Sequence, residues 1–255
     1  MTQLDALVLA GGRCSDELQA VTGCRHRALI PYKDLPFLAH GLSSLRNCNR
    51  VARIAVVGPN ALTDHPAVAG KADIFVEEQD TIEANLLAGV AALRSENRFI
   101  ITASDNPLVT GSAMADFIDR IPKDAAAAYP YLRYSEFLKR FPGADNIPVH
   151  LSDGTFIGGN CVVIEAKHFS DLERTVSHVL SARKSLLRMA LLLGPYFAIR
   201  LQLKRASSRD AERRASKILG LPFHLVPDCD PTFAIDIDEP SDFQYLCEWT
   251  EKFAT

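Results

Sequence analysis

The sequence predicts an α/β fold, a three-layer αβα sandwich around a mostly parallel sheet. Three observations carry this expectation. Short apolar runs rich in Val and Ile alternate with longer stretches whose apolar residues recur at helical spacing. Glycine pairs or Gly-Pro close the first two runs, at Gly11-Gly12 and Gly58-Pro59. The 255 residues are 47% apolar with no break in composition, so one domain over residues 1–255 with one large core is expected.

The elements follow in order. Leu4 to Ala10 reads as a buried strand, Phe37 to Leu45 as a helix, Val51 to Val57 as a second strand and Asp73 to Val76 as a short third. Glu83 to Leu93 is helical, because Leu86, Leu87, Val90 and Leu93 fall on one face. Arg98 to Ala103 is the fourth strand, Met114 to Ile121 the next helix, and Ala125 to Tyr131 a fifth strand. This alternation puts helices on both faces of a parallel sheet, joined by right-handed crossovers. The second half is less regular. Tyr134 to Asp153 reads as an irregular excursion, Cys161 to Glu165 as a strand, and Phe169 to Leu193 as helical. Arg205 to Leu219 reads as a helix ended by Gly220 and Pro222. Phe223 to Val226 and Phe233 to Ile237 read as short strands, and Ser241 to Phe253 as a closing helix with Ser241 as N-cap.

Composition excludes several classes. A net charge of -3 gives no reason to expect nucleic-acid binding. Six dispersed cysteines with no C-x-x-C pair argue against a zinc site or disulfide framework, and for reduced thiols in a cytoplasmic protein. Asp5 within the first apolar run and the lack of a basic segment before it do not fit a signal peptide. The seven histidines show no metal-ligand spacing, and Ser104 lacks a G-x-S-x-G elbow, so a hydrolase reading is poor.

Four motifs carry chemistry. Leu9-Ala10-Gly11-Gly12-Arg13 follows the first strand, where glycines let backbone N–H groups approach phosphates; the bland reading is a strand-ending turn. Arg27-Ala28-Leu29-Ile30-Pro31 places a cation before an apolar turn that can fold back over that loop; most such cations are merely solvated. Asp105-Asn106-Pro107-Leu108 ends the fourth strand at the carboxyl edge of the sheet, where ligands bind in such folds and where Asp suits Mg²⁺. An Asp capping the next turn is the plainer alternative. Asp236 and Asp238 are two apart and share a face on a regular strand, from which both could approach an ion held with Asp105; helix N-terminal charge is the plainer reading.

In order and spacing these four motifs resemble the MobA-like NTP transferase family, over most of the first 110 residues and the closing segment. The resemblance implies a nucleotide-diphospho-sugar transferase type of fold and a Mg²⁺-dependent transfer of a nucleoside monophosphate from a nucleoside triphosphate to a phosphorylated small-molecule acceptor. It implies that Leu9, Ala10, Gly11, Gly12, Arg13, Arg27 and Asp105 meet the nucleotide. Arg27 and Asp105 would be catalytic, and Asp105 with Asp238 or Asp236 would hold the metal, Asp238 being preferred by alignment. Residues 1–125 become the nucleotide-binding half, and residues 126–255 the acceptor-binding half with the closing metal-binding segment. The chain departs from the family at two places. Its loop continues Arg13-Cys14-Ser15-Asp16-Glu17, where the family usually has Gly and Arg-Met-Gly, and its usual lysine is Arg27. Arginine keeps the charge and can grip phosphate bidentately.

The middle is similar to a branch of that family in which a Gly-Gly-Asn turn and an Arg-Lys pair lie on the acceptor side. Here these are Gly158, Gly159 and Asn160, and Arg183 and Lys184. The glycines permit close backbone approach, Asn160 offers donor and acceptor, and the cations suit an anionic acceptor. A tight turn before the strand at Cys161 is the bland reading. From Lys167 to Lys217 there are 12 Lys and Arg against 4 Asp and Glu. That surplus reads first as a solvated helical face; contact with an anionic membrane surface is the weaker alternative. Two other functions compete: a glycosyltransferase consuming a nucleotide sugar on the same fold, and a nucleotide-binding protein that has lost turnover. The sequence leaves the base, the acceptor and the oligomeric state open.

Overall fold

The computed structural model describes residues 3–169, 175 and 192–253. Eleven strands and eight α-helices are described. The strands are β1 (Leu4–Leu9), β2 (Pro31–Tyr32), β3 (Leu35–Pro36), β4 (Val51–Gly58), β5 (Ile74–Glu77), β6 (Arg98–Ala103), β7 (Ala127–Arg133), β8 (Val149–Leu151), β9 (Gly154–Gly158), β10 (Cys161–Glu165) and β11 (Phe223–Val226). The helices are α1 (Asp16–Thr22), α2 (Phe37–Asn47), α3 (Ile82–Leu93), α4 (Gly111–Asp119), α5 (Tyr134–Arg140), α6 (Pro195–Gln202), α7 (Ser208–Leu219) and α8 (Pro240–Phe253).

Nine strands form one sheet in the order β5-β4-β1-β6-β10-β7-β9-β8, with β11 also paired to β7. The sheet is mostly parallel, as the alternation predicts: β5, β4, β1 and β6 run side by side in one direction, and only β10 and β9 run against the rest. β1 explains why this half was legible. Its residues are apolar on both faces because both faces are covered. Ala6 and Val8 join a core with Leu38, Leu42, Met114 and Phe117 of α2 and α4. Leu7 faces the other way, into a core with Leu86 and Leu93 of α3 and Phe99 and Ile101 of β6. The αβα sandwich follows directly.

Several expectations need correction. Tyr134 to Asp153 is not wholly irregular, since it holds α5 and β8. α5 is only two turns long and depends on tertiary burial. Phe137 is fully buried, and Phe141 just past the helix packs 4.9 Å from the Trp249 ring. Phe233 to Ile237 is not a strand. Pro231–Ala234 forms a 3₁₀ turn, begun by Pro231 and by Asp230, whose carboxylate accepts from Thr232 N at 2.9 Å. The last helix begins at Pro240, a residue suited to a first helical turn. Asp242, not Ser241, caps it, accepting from the amides of Asp238 and Glu239. α7 begins at Ser208, three residues later than expected, behind a Ser207–Asp210 capping box. The helix expected over residues 169–193 falls almost entirely outside the described residues. α1, the β2–β3 hairpin, β9 and α6 were not foreseen.

Candidate active site

β1 and β6 are parallel neighbours with Leu9 opposite Ala103, so the segments after them leave the sheet at the same edge. Gly11, Gly12 and Arg13 follow β1; Ser104, Asp105 and Asn106 follow β6 and are buried. The Arg25–Arg27 segment then lies along the first loop. Arg27 N donates to Gly12 O at 2.9 Å, and Cys14 N donates to Arg25 O at 2.9 Å. This brings the Arg27 guanidinium over Gly12, where an added Cβ would lie 2.9 Å from Nη2. Glycine at position 12 thus leaves room for the guanidinium against the loop, which a larger side chain would displace.

Arg27 draws the distant acids together. Its Nη1 lies 2.8 Å from Asp105 Oδ2 and also contacts Asp238 Oδ1. Two oxygens sharing one nitrogen are within about 6 Å of each other, the span of two hydrogen bonds. Asn106 explains how a segment more than a hundred residues away reaches this edge: its Nδ2 donates to Thr232 O at 2.8 Å. Asp236 lies in the same segment. Burial pushes its carboxyl up to about 6, and the negative charges of Asp105 and Asp242 add to the shift, while Arg27 and Asn160 oppose it. Two of the three acids named in the sequence thus meet one cation, and the third, Asp236, feels its charge.

Two further residues were missed. Glu78 follows β5 and reaches the Gly11–Gly12 loop; an added Cβ at Gly11 would lie 2.9 Å from its Oε2. Its Oε1 is held by His26 Nε2 at 3.0 Å, and Arg13 Nη2 lies 4.0 Å away. Glu78 Oε2 and Arg27 Nε are both buried without a hydrogen-bond partner. Unused polar atoms of opposite kind at one glycine loop suit a polar ligand. The only sequence signal for Glu78 was its place just after a predicted parallel strand. Asp16 and Glu17, which stand where the sequence departs from the family loop, begin α1 in solvent, where acids suit the helix dipole.

The Gly-Gly-Asn turn is brought to the same side. Gly159 N donates to Pro130 O and Asn160 N to Phe233 O, both at 2.9 Å. Cβ atoms at Gly158 and Gly159 would come within 2.5 Å of Tyr129 and 2.9 Å of Phe233, so both glycines permit close packing around the short link from β9 to β10. Asn160 adds chemistry: its buried Nδ2 lies close to the Asp236 carboxylate, whose charged form it favours. Arg183 and Lys184 lie outside the described residues. A 250 Å³ cavity lies beyond Asp236, lined also by Asn146, Asp242 and Tyr245. A larger cleft of about 730 Å³ sits at the opposite sheet edge, where β1 and β6 begin. Two of its cations are already engaged: Arg50 with Asp119 at 2.6 Å, and Arg98 with three carbonyls.

Among the described residues no three His, Cys, Asp or Glu side chains form a ready metal cage. Two carboxylates completed by ligand oxygens and water need none, and the all-oxygen donor set of Asp105, Asp238 and Asp236 fits a hard divalent ion.

Comparisons with known proteins agree with the fold. A family model for the MobA-like NTP transferase domain matches residues 6–192. No curated protein matches the chain. A hypothetical transferase from Thermus thermophilus is 26% identical with a TM-score of 0.84, covering 94% of this chain and 99% of that one. The 2-C-methyl-D-erythritol 4-phosphate cytidylyltransferase of Thermus thermophilus is 17% identical with a TM-score of 0.55, covering 97% and 99%. Rv0371c of Mycobacterium tuberculosis H37Rv, in complex with manganese, is 16% identical with a TM-score of 0.52, covering 97% and 99%. The last two likenesses speak for the fold alone.

Proposed function

The chain belongs to the MobA-like NTP transferase family, and from that premise we propose that this nucleotidyltransferase moves a nucleoside monophosphate from a nucleoside triphosphate to a phosphorylated small-molecule acceptor, with Mg²⁺. The carrying observation is the meeting of Arg27, Asp105 and Asp238 beside Gly12. A glycine loop with a cation above it suits a triphosphate, and a cluster of acids at the same point suits the ion that accompanies one.

In this reading an oxygen of the acceptor phosphate attacks the α-phosphorus, and the bond to pyrophosphate breaks. A phosphate nucleophile is already ionised near neutral pH, so no side chain need act as base. The protein's work is positioning and charge neutralisation. Gly11, Gly12 and Arg13 cradle the triphosphate, and Arg27 balances charge gathering on the leaving pyrophosphate. Glu78 offers its unpartnered oxygen to a donor on the nucleoside. Asp105 and Asp238, with Asp236 behind them, would hold Mg²⁺, which supplies positive charge at the α-phosphate. Manganese in the Rv0371c structure supports a divalent ion on this fold. Residues 1–125 serve as the nucleotide half and residues 126–255 as the acceptor half, with Asn160 and the Arg183–Lys184 pair on the acceptor side. The 4-phosphate named for the cytidylyltransferase neighbour supports an acceptor that carries phosphate. The six unpaired cysteines fit a cytoplasmic location.

The test is pyrophosphate release. Purified protein is incubated with each ribonucleoside triphosphate, Mg²⁺ and a panel of sugar, polyol and lipid-alcohol phosphates. Release that depends on one acceptor and stops in chelator supports the proposal. Release of a nucleoside diphosphate from nucleotide sugars, with none of pyrophosphate, would favour the glycosyltransferase.

A further inference from the structure

α6 carries an apolar row that the described protein leaves in solvent. Tyr196, Ile199 and Leu203 are 75%, 60% and 57% exposed, and their spacing of three and four puts them on one helix face. No residue of α6 is buried. Its ties to α7 are polar: Arg200 Nη2 meets Asp210 Oδ2 at 2.8 Å, and Arg214 Nη2 donates to Leu192 O at 3.0 Å, just before the helix. The helix is therefore tied to α7 by polar contacts, with Phe197, Ala198 and Leu201 half-buried and Tyr196, Ile199 and Leu203 left in solvent.

Cations border this row. Lys204 and Arg205 follow it directly and are exposed, and Arg209, Arg213 and Lys217 form an exposed row at every fourth residue of α7. None of these five has an ion pair among the described residues. The acids of α7 are engaged elsewhere. Asp210 meets Arg200 and caps its own helix, and Glu212 accepts from Leu225 N at 2.8 Å. The sequence extends the pattern upstream: residues 186–203 contain only Arg188 and Arg200 as charges amid Leu, Met, Tyr, Phe and Ile.

We infer that α6 and the cationic row of α7 dock the protein on an anionic membrane surface. Tyr196, Ile199 and Leu203 enter the headgroup boundary, while Lys204, Arg205 and the α7 row meet anionic headgroups. The contact lies on the bilayer, since no described helix is long and apolar enough to cross one. Charge argues against a second copy of the chain as the occupant, because two such cationic rows brought face to face repel. The inference stands apart from the nucleotide site, using none of its residues.

Co-sedimentation of the full chain with vesicles tests it. The protein should pellet with vesicles of phosphatidylcholine plus phosphatidylglycerol at low salt, and much less with phosphatidylcholine alone or at high salt. The double variant Ile199→Asp/Leu203→Asp should weaken partitioning about tenfold or more. Lys204→Glu and Arg205→Glu should each weaken it about fivefold. All four positions are exposed, so the melting temperature and pyrophosphate release in solution should be unchanged. Three outcomes overturn the inference. They are no binding to anionic vesicles at low salt, binding that survives the double Asp variant, and concentration-dependent self-association that the same variant abolishes, which would make a second copy the occupant.

Discussion

Arg27 Nη1 stands 2.8 Å from Asp105 Oδ2, and the same nitrogen also meets Asp238. The cation expected to grip phosphate therefore fills the space between two acids expected to hold a metal. Arg27→Gln should lose about 10²–10³-fold in turnover yet bind Mn²⁺ more tightly than wild type when no nucleotide is present. Arg27→Lys, which restores the usual family residue, should keep most of the activity. Titration of free Mn²⁺ by electron paramagnetic resonance reads the affinity. Weaker metal binding by Arg27→Gln would show that the guanidinium does not compete for that space.

Gly12 faces the same guanidinium. A Cβ there would come within 2.9 Å of Arg27 Nη2, and the loop's approach to phosphate would be lost as well. Gly12→Val should weaken nucleoside triphosphate binding roughly tenfold or more, by calorimetry, with little loss of far-ultraviolet circular dichroism. Unchanged affinity in a folded variant would remove the loop from the site.

Asp236 predicts a pH dependence. Burial, with the charges of Asp105 and Asp242, holds its carboxyl at about 6 in the folded chain, against about 3.9 when unfolded. Between these values the folded state binds more protons than the unfolded one, so stability falls as pH rises through the window and stays low above it. The gap corresponds to about 3 kcal/mol. In chelator, Asp236→Asn should melt higher than wild type at pH 8 and close to it near pH 4. Parallel melting curves across the range would mean that Asp236 ionises without cost.

What the sequence revealed follows from where its information is local. β6 and β10 were read to the residue, because strands covered on both faces leave unbroken apolar runs between turn residues. α1 was invisible, since only Leu18 of its seven residues is buried and it reads as an acidic loop. α5 rests on Phe137 and its contacts, which no local pattern reveals. In the site, Gly12 and Asp105 were legible from their place at strand ends. Asn106 was not singled out, because its partner Thr232 is 126 residues away. Nor was Glu78, which matters only once β5 lies beside β4 and brings it to Gly11. The proximity of Asp238 to Asp105 came from family resemblance, and periodicity contributed nothing to it. The strand that would have justified Asp236 and Asp238 sharing a face does not form.

Asn160 tests the division into donor and acceptor sides. Its amide nitrogen is buried close to the Asp236 carboxylate, whose charged form it favours. Asn160→Ala should raise the acceptor KM about tenfold or more while leaving the triphosphate KM within about twofold. The reverse pattern would move Asn160 to the nucleotide side.

The two acids of the closing segment should separate by role. Asp238 is 57% exposed at its side chain and shares Arg27 with Asp105, so it can exchange that cation for a metal with little rearrangement. Asp236 lies mostly out of solvent, and burial, with the nearby charges of Asp105 and Asp242, raises its pKa, so its carboxylate is held at a cost. Asp105→Asn should nearly abolish turnover, since it removes the one acid buried at the end of β6. Asp238→Ala should cost about 10²-fold, partly restored by excess Mn²⁺, because a lost ligand weakens metal affinity before it changes chemistry. Asp236→Ala should cost less at saturating metal, since the Asp105–Asp238 pair remains. Pyrophosphate release across a Mg²⁺ and Mn²⁺ titration measures all three variants. If Asp236→Ala is the more damaging and Mn²⁺ rescues it alone, Asp236 is the metal ligand of the pair, and Asp238 serves mainly to hold Arg27.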